Sequence, residues 1–336
     1  MLRWLAMVRV SVVIPVFNGA ATVGRAITSA LPQRFDGDSA ANGADASRTL
    51  ANQVEVIVVN DGSIDETAEI LNGFGARIRV IDQPNRGPAA ARNAGAAVAQ
   101  GEYLAFLDAD DAWLPQKLAA TVPLLDRNPA VVLVFSDAIP IDANGVPAGE
   151  SYVTLDCAHA PTMAEMLDRW WPIIPSTAVM RAATFKAIGG FVEEFRSAAY
   201  EDPFLFLVTR EHGEFAYVPE RLVYYRYESP GVRMEKYLRS RDVFLQRVTE
   251  RYGAAARGLI RGTRRAYASA LGYEGLMAMR AGDLTAARRH FICALRERPL
   301  DFKTAMRFAR TFMPLRLARA LGGRTARDRT ARSPIE

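Results

Sequence analysis

Apolar positions in the first 140 residues come in short unbroken runs, each followed by a polar turn and a stretch of helical spacing. Residues 8–16 (VRVSVVIPV), 54–59 (VEVIVV), 78–83 (IRVIDQ), 102–107 (EYLAFL) and 130–138 (AVVLVFSDA) read as buried strands, rich in β-branched residues. Between them, 18–31 places Val23, Ile27 and Leu31 on one helical side. Residues 64–74 carry acids in a first helical turn, 85–101 form a small-residue helix with a Gly stop, and 113–128 predict a further helix. Strands alternating with helices predict an α/β fold with a mainly parallel sheet. Residues 32–53, rich in Gly, Ala, Ser, Asp and Asn and without period, read as a mobile surface insertion.

From about Tyr237 the pattern becomes helical, rich in Ala and Arg, with no strand signal. This divides the chain into a sheet domain, 1–236, and a helical C-terminal region, 237–336. Within the latter, Gly275, Gly282, Ala287, Phe291, Ala294 and Pro299 are spaced as in one tetratricopeptide-like hairpin, over about 267–300. Such a unit is equally a packing hairpin or a protein-binding repeat.

Composition narrows the class. The chain has 336 residues, 50% hydrophobic and 24% charged, as expected of a globular protein with a sizeable core. No run approaches the roughly 18 apolar residues that span a bilayer. The opening MLRWLAMVRV lacks a small-residue cleavage site and runs into a strand, so it does not read as a signal peptide; Met1 and Met7 are both available as starts. Two distant cysteines, Cys157 and Cys293, form neither a disulfide framework nor a metal spacing, which suits a reducing cytoplasm. The net charge of +5 belongs to the end of the chain. From Asp301 onward nine Lys and Arg face three acids, and the preceding 300 residues hold 33 against 34. Such a tail points to an acidic surface, anionic lipid or nucleic acid, or to a solvated end. Because FKTAMRFARTFMPLRLARALGGRTAR interleaves Phe, Met and Leu with Arg, lipid is the expected partner and nucleic acid is not. The alternative is a helix packed on the rest of the protein.

The chemistry concentrates at strand ends. YLAFLDADD brings Asp108, Asp110 and Asp111 together beyond a buried strand, and Asp61 follows another. Ligands of open α/β sheets sit beyond such ends. Crowded carboxylates need positive charge among them. A Mg2+ or Mn2+ ion using one or two carboxylates plus substrate phosphates would supply it. Taken one at a time, the same acids are equally turn and cap residues. The chain has no P-loop Gly-Lys-Ser/Thr and no G-x-G-x-x-G after a strand.

Five segments in order resemble family 2 glycosyltransferases of the GT-A fold: VSVVIPVFNGAATVGRAITSAL, VEVIVVNDGSIDET, NRGPAAARNAGAAVAQGEYLAFLDADD, PSTAVMRAATFKAIGGF and EDPFLFLVTR. The resemblance covers about residues 8–227. It implies a GT-A domain and an inverting sugar transfer from a nucleotide-diphospho-sugar, a UDP-sugar first, to a sugar or lipid-linked acceptor hydroxyl in cell-surface polysaccharide or glycolipid synthesis. The enzyme would be cytoplasmic, or peripheral at the inner face of the membrane. Pro15, Val16 and Phe17 would line the nucleotide pocket, Asp61 would accept the base N–H, and Arg92 would help place the nucleotide. Asp108 would contact ribose or metal, and Asp110 would be the main ligand of the divalent cation. Asp202 would be the general base with Glu201 beside it; by itself ED would read as a helix start. Trp170, Trp171, Ser176 and Thr177 would lie on the acceptor side, the two indoles being alternatively core. Where the family often carries a His, this chain has Glu228, the candidate for an extra metal or phosphate contact. Asp111 would cap a helix starting at Trp113. Two other classes compete. A sugar-nucleotidyl transferase would want a basic phosphate loop that PVFNGAATVG lacks. An inactive binding protein fits poorly with intact Asp61, Asp108, Asp110 and Asp202.

Overall fold

The computed structural model describes residues 8–33, 53–149, 151–195, 200–226 and 230–312, with only the backbone for 230–239. Most of the expected insertion, Glu228 and the end of the basic tail lie outside the described residues. The chain divides into two compact units, Met1–Ile260 and Arg261–Glu336, later than the change in sequence character at Tyr237.

In the first unit eight strands form one sheet: β1 (Val10–Val16), β2 (Val54–Asn60), β3 (Arg79–Asp82), β4 (Tyr103–Phe106), β5 (Ala112–Trp113), β6 (Val131–Ile141), β7 (Ala178–Arg181) and β8 (Glu214–Arg226). Their order is β3-β2-β1-β4-β7-β6-β8-β5. Strands β3, β2, β1 and β4 run parallel. β7 enters antiparallel between β4 and β6, β6 and β8 are parallel, and β5 is antiparallel to β8. Helices α1 (Val23–Ala30), α2 (Thr67–Asn72), α3 (Pro88–Val98), α4 (Lys117–Arg127), α5 (Met163–Asp168), α6 (Ala182–Ile188) and α7 (Glu201–Arg210) follow the strands, then α8 (Pro230–Tyr252).

The unbroken apolar runs have a direct cause. β1 is buried along its whole length. Its alternate residues enter two cores: Val13 joins Ile57, Val59, Leu104 and Phe106, whereas Val12 and Ile14 join Val56, Val58 and Ala105. A strand covered on both faces needs apolar residues at every position. The small-residue run of α3 is explained the same way. A Cβ at Gly95 would sit 2.4 Å from Val13 Cγ1, so α3 lies directly on β1. This close seat carries Arg92 into the interior.

The chain order reverses at β1, with β2 on one side and β4 on the other. Such a switch point opens a crevice beyond the carboxyl ends, here Val16–Phe17 and Leu107–Asp108. The helix expected from Trp113 begins instead at Lys117, because Ala112 and Trp113 pair with Tyr224 and Val223 as β5. Leu114, which precedes Pro115, is disfavoured in a helix.

In the second unit, most of α9 (Arg257–Ala281) and all of α10 (Leu284–Glu297) form a hairpin around Gly282, with buried Ala287, Phe291 and Ala294. α11 (Phe302–Arg310) follows, its Asp301 cap accepting from Thr304 N.

Candidate active site

Three loops meet where β1 and β2 end. Asp61 N donates to Val16 O (2.8 Å), locking the two strand ends together. Gly62 follows at φ +77°, and a Cβ there would lie 2.8 Å from Asn85 N. Only glycine serves that conformation and that approach. The buried Asp61 carboxylate accepts Gln83 Nε2 (2.7 Å) and Arg86 N (2.9 Å) on one oxygen and Gly87 N (2.8 Å) on the other. It therefore fixes the loop entering α3, and a carboxylate with about four acceptor positions keeps one for a ligand N–H. Asn18, at φ 49°, accepts Ile64 N, and its own N–H donates to Ser63 Oγ. Asp65 accepts Thr67 Oγ1, Thr67 N and Ala20 N, and the Thr67 hydroxyl holds its carboxyl below the ordinary range. Pro15 and Val16 lie within the sheet; Phe17 stands half exposed at the rim. The pins Asn18, Asp65 and Gln83 were missed from sequence; the sign of them was polar residues crowded at strand ends.

Beyond β4 the chain turns sharply, with Asp111 N donating to Asp108 O (3.0 Å). Asp108 N donates to Ser176 Oγ (3.0 Å), and that hydroxyl donates to Asp111 Oδ2 (2.5 Å). Asp111 Oδ1 accepts Arg226 N (2.8 Å). Asp111 is thus no helix cap. It is a buried post under the turn, and burial together with Asp110 and Asp108 pushes its carboxyl well up. Ser176 and Thr177, expected on the acceptor side, are fully buried. Their hydroxyls serve this frame and Ile174 O, while buried Lys117 donates to Thr177 O (2.7 Å). Arg25 donates to Asp110 O (2.9 Å), and the Asp110 residue is partly exposed.

The positive charge demanded by the acid cluster is Arg92. It is buried over the Phe191 ring and pairs with Asp108 Oδ1 (2.6 Å) and Glu201 Oε1 (3.0 Å). Burial alone would depress its guanidinium, but Asp108 and Glu201 outweigh this and hold it above its ordinary value. Arg92 thereby ties the turn after β4 to the first residue of α7. Burial pushes the Glu201 carboxyl up, with Arg92 opposing, and its Oε2 has no hydrogen-bond partner. Asp202 follows in the same helical turn. Burial, reinforced by the Glu201 charge, pushes its carboxyl well above the ordinary range. Trp170 stacks on Phe244 (centroids 5.4 Å apart) and lies against Tyr200, the residue before α7. Trp171 is buried with its indole N–H unpartnered. Both indoles line a depression with Met166, Pro203 and Phe206.

Among the described residues no three or more His, Cys, Asp or Glu are grouped to hold a metal by themselves. What the turn offers is Asp110 and the second oxygen of Asp108. That set fits a hard cation that takes most of its shell from a substrate diphosphate.

A family model described as "Glycosyl transferase family 2" matches residues 11–189. An uncharacterized glycosyltransferase of Rickettsia typhi is 30% identical over 195 residues, 56% of this chain and 54% of its own. The chain spans between about a sixth and about half of the length of the curated relatives it matches. Among solved structures, residues 1–349 of S. aureus TarS in complex with UDP superpose with a TM-score of 0.51 at 18% identity, over 90% of this chain and 89% of that one. The mannosyltransferase PcManGT from Pyrobaculum calidifontis, in complex with GDP-Man and Mn2+, gives 0.53 at 18% identity, over 93% and 86%. At such identity the likeness is one of fold, the mixed α/β GT-A fold with a helical C-terminal region.

Proposed function

Because this chain belongs to glycosyl transferase family 2, we propose that it transfers a sugar from a nucleotide-diphospho-sugar to an acceptor hydroxyl, with inversion. The observation that carries this is the Asp108–Arg92–Glu201 chain, which joins an acidic turn at the switch point to an acidic helix start within one crevice.

Asp61 keeps an acceptor position for the base N–H, and the chain around Pro15–Phe17 walls the pocket. Arg92 holds Asp108 in place beside the nucleotide. Asp110, with the second oxygen of Asp108, would hold Mg2+ or Mn2+. When bound, such an ion neutralises the leaving diphosphate. Asp202 accepts the proton of the acceptor hydroxyl, and its raised carboxyl makes it a better base than an ordinary aspartate. A positioned base of this kind contributes about 10²–10⁴-fold. Attack opposite the leaving group inverts the anomeric centre. Trp170, partly buried beside Tyr200, forms the acceptor wall against a sugar or lipid-linked sugar, with Trp171 as the core residue behind it. The product belongs to cell-surface polysaccharide or glycolipid, made at the cytoplasmic side. Fold neighbours with UDP and with GDP-Man and Mn2+ support both the donor class and the cation, a UDP-sugar first.

The test is a screen of UDP-, GDP- and dTDP-sugars with Mn2+ or Mg2+, reading melting temperature and donor turnover. A UDP-sugar should raise the melting temperature and be turned over only with the cation. If no nucleotide-sugar shifts or is consumed, the proposal is wrong.

A further inference from the structure

The two units carry opposite charge. Arg261–Glu336 hold seventeen Lys and Arg against six acids, a net +11, and the first 260 residues hold 25 against 31, a net −6. Within the basic unit, α11 has two apolar faces. The inner one seats Thr304 and Thr311, both buried, and Phe308; Arg288 of α10 donates to Thr311 O (2.6 Å) and lies over the Phe312 ring. The outer one carries Phe302, Met306 and Ala309 at i, i+4 and i+7, one stripe of a helix. Phe302 is 76% exposed and Met306 43%, and Leu300, just before the helix, is 98% exposed. Lys303, Arg307 and Arg310 occupy the flank of that stripe in the helical order. The Asp301 carboxylate caps the helix through Thr304 N and Oγ1 and is balanced by Arg298 (3.7 Å), so it leaves the three basic residues in excess.

We infer that the outer face of α11 docks on an anionic lipid bilayer, Phe302 and Met306 entering the acyl boundary and Lys303, Arg307 and Arg310 meeting headgroup phosphates. Exposed apolar side chains with a basic border are what an interfacial helix needs. The other occupants match less well. A second copy's own +11 unit repels this face; its −6 unit could meet the charges, so self-association of wild type in vesicle-free solution that F302S/M306S abolishes would also overturn the inference. Residues 313–336 carry six Arg against two acids, the same sign as the border. Nucleic acid would use the charges but not Leu300 and Met306. No helix among the described residues is long and apolar enough to cross a membrane, so the contact is interfacial. The inference is independent of the catalytic reading.

The experiment is sedimentation of the full chain with phosphatidylcholine vesicles, with and without phosphatidylglycerol. Binding should need the anionic lipid and weaken with salt. F302S/M306S and K303E/R307E should each lower partitioning by about tenfold or more, with donor turnover in vesicle-free solution unchanged. Circular dichroism checks that α11 remains folded. F302W, a milder change, should add an indole that brominated acyl chains quench. Three results would each overturn the inference: wild-type protein left in the supernatant, no quenching of F302W in sedimented protein, or folded F302S/M306S sedimenting like wild type. So would tighter binding to duplex DNA than to the vesicles.

Discussion

The proposed donor and acceptor halves of the crevice are held by different means. On the donor side, Asn18, Asp61 and Asp65 each accept backbone N–H groups from a neighbouring loop, so many modest bonds share the work. On the proposed acceptor side, the one polar tie described for the acidic start of α7 is a buried pair, Arg92–Glu201, across 109 residues of sequence, beneath which residues 204–208 share the core with Val13 and Phe106. Distributed backbone ties tolerate the loss of a member. A single buried ion pair does not, because removing one partner leaves the other charged and unsolvated. The proposed donor rim should therefore respond to mutation in a graded way, and the buried Arg92–Glu201 pair sharply.

Four substitutions sharpen this contrast. Asp110→Ala should lower turnover most, by about 10³-fold, the several kcal/mol a diphosphate-bound cation supplies, with urea stability unchanged. Arg92→Met should cost about 3–5 kcal/mol of stability by stranding Glu201 and Asp108. The double variant R92M/E201M should recover much of that loss; if R92M unfolds at the wild-type urea midpoint, the pair is not what holds α7. Gly62→Ala forces a Cβ onto Asn85 N at a positive φ, costing more than about 1 kcal/mol. It should raise the donor KM and leave kcat nearly unchanged, the graded response expected of the rim.

The smallest effect is a shift in pH profile. As the proposed base, Asp202 would accept a proton only when ionised, and burial with the Glu201 charge raises its folded value. Activity should therefore fall, as pH drops, above the ordinary carboxylate value of about 4. Glu201→Gln keeps an amide oxygen for Arg92, whose charge Asp108 still balances, and removes the like charge beside Asp202. The Asp202 pKa should fall, so the acid limb of kcat/KM should move to lower pH. An acid limb that stays put or moves up would show that Glu201 does not set the base.

The parallel half of the sheet and the acids at its ends were legible in the sequence, because β1, β2 and β4 are buried on both faces and read as continuous apolar runs. Of the other half only β6 was, as the run 130–138; β5, β7 and β8 were not. β7 has four residues and β5 two, and partners distant in sequence define both. Asp111 looked like a helix cap because WLPQKL follows it. Its partners, Ser176 and Arg226, lie 65 and 115 residues away. Ser176 and Thr177 belonged to a family-like segment, but local sequence does not say which way a hydroxyl faces, and both serve the frame. Arg92 and Glu201 were each marked as site residues. Their pairing, which joins the halves, came only from the fold seating α3 against β1.

The most direct test of the proposed chemistry separates donor binding from turnover in Asp202→Asn. Melting-temperature shifts with the preferred nucleotide-sugar and cation should match wild type, because the donor rim is untouched. Transfer at saturating donor should fall by about 10²–10⁴-fold. Wild-type turnover in a D202N protein that binds donor normally would contradict the assignment of Asp202 as the base.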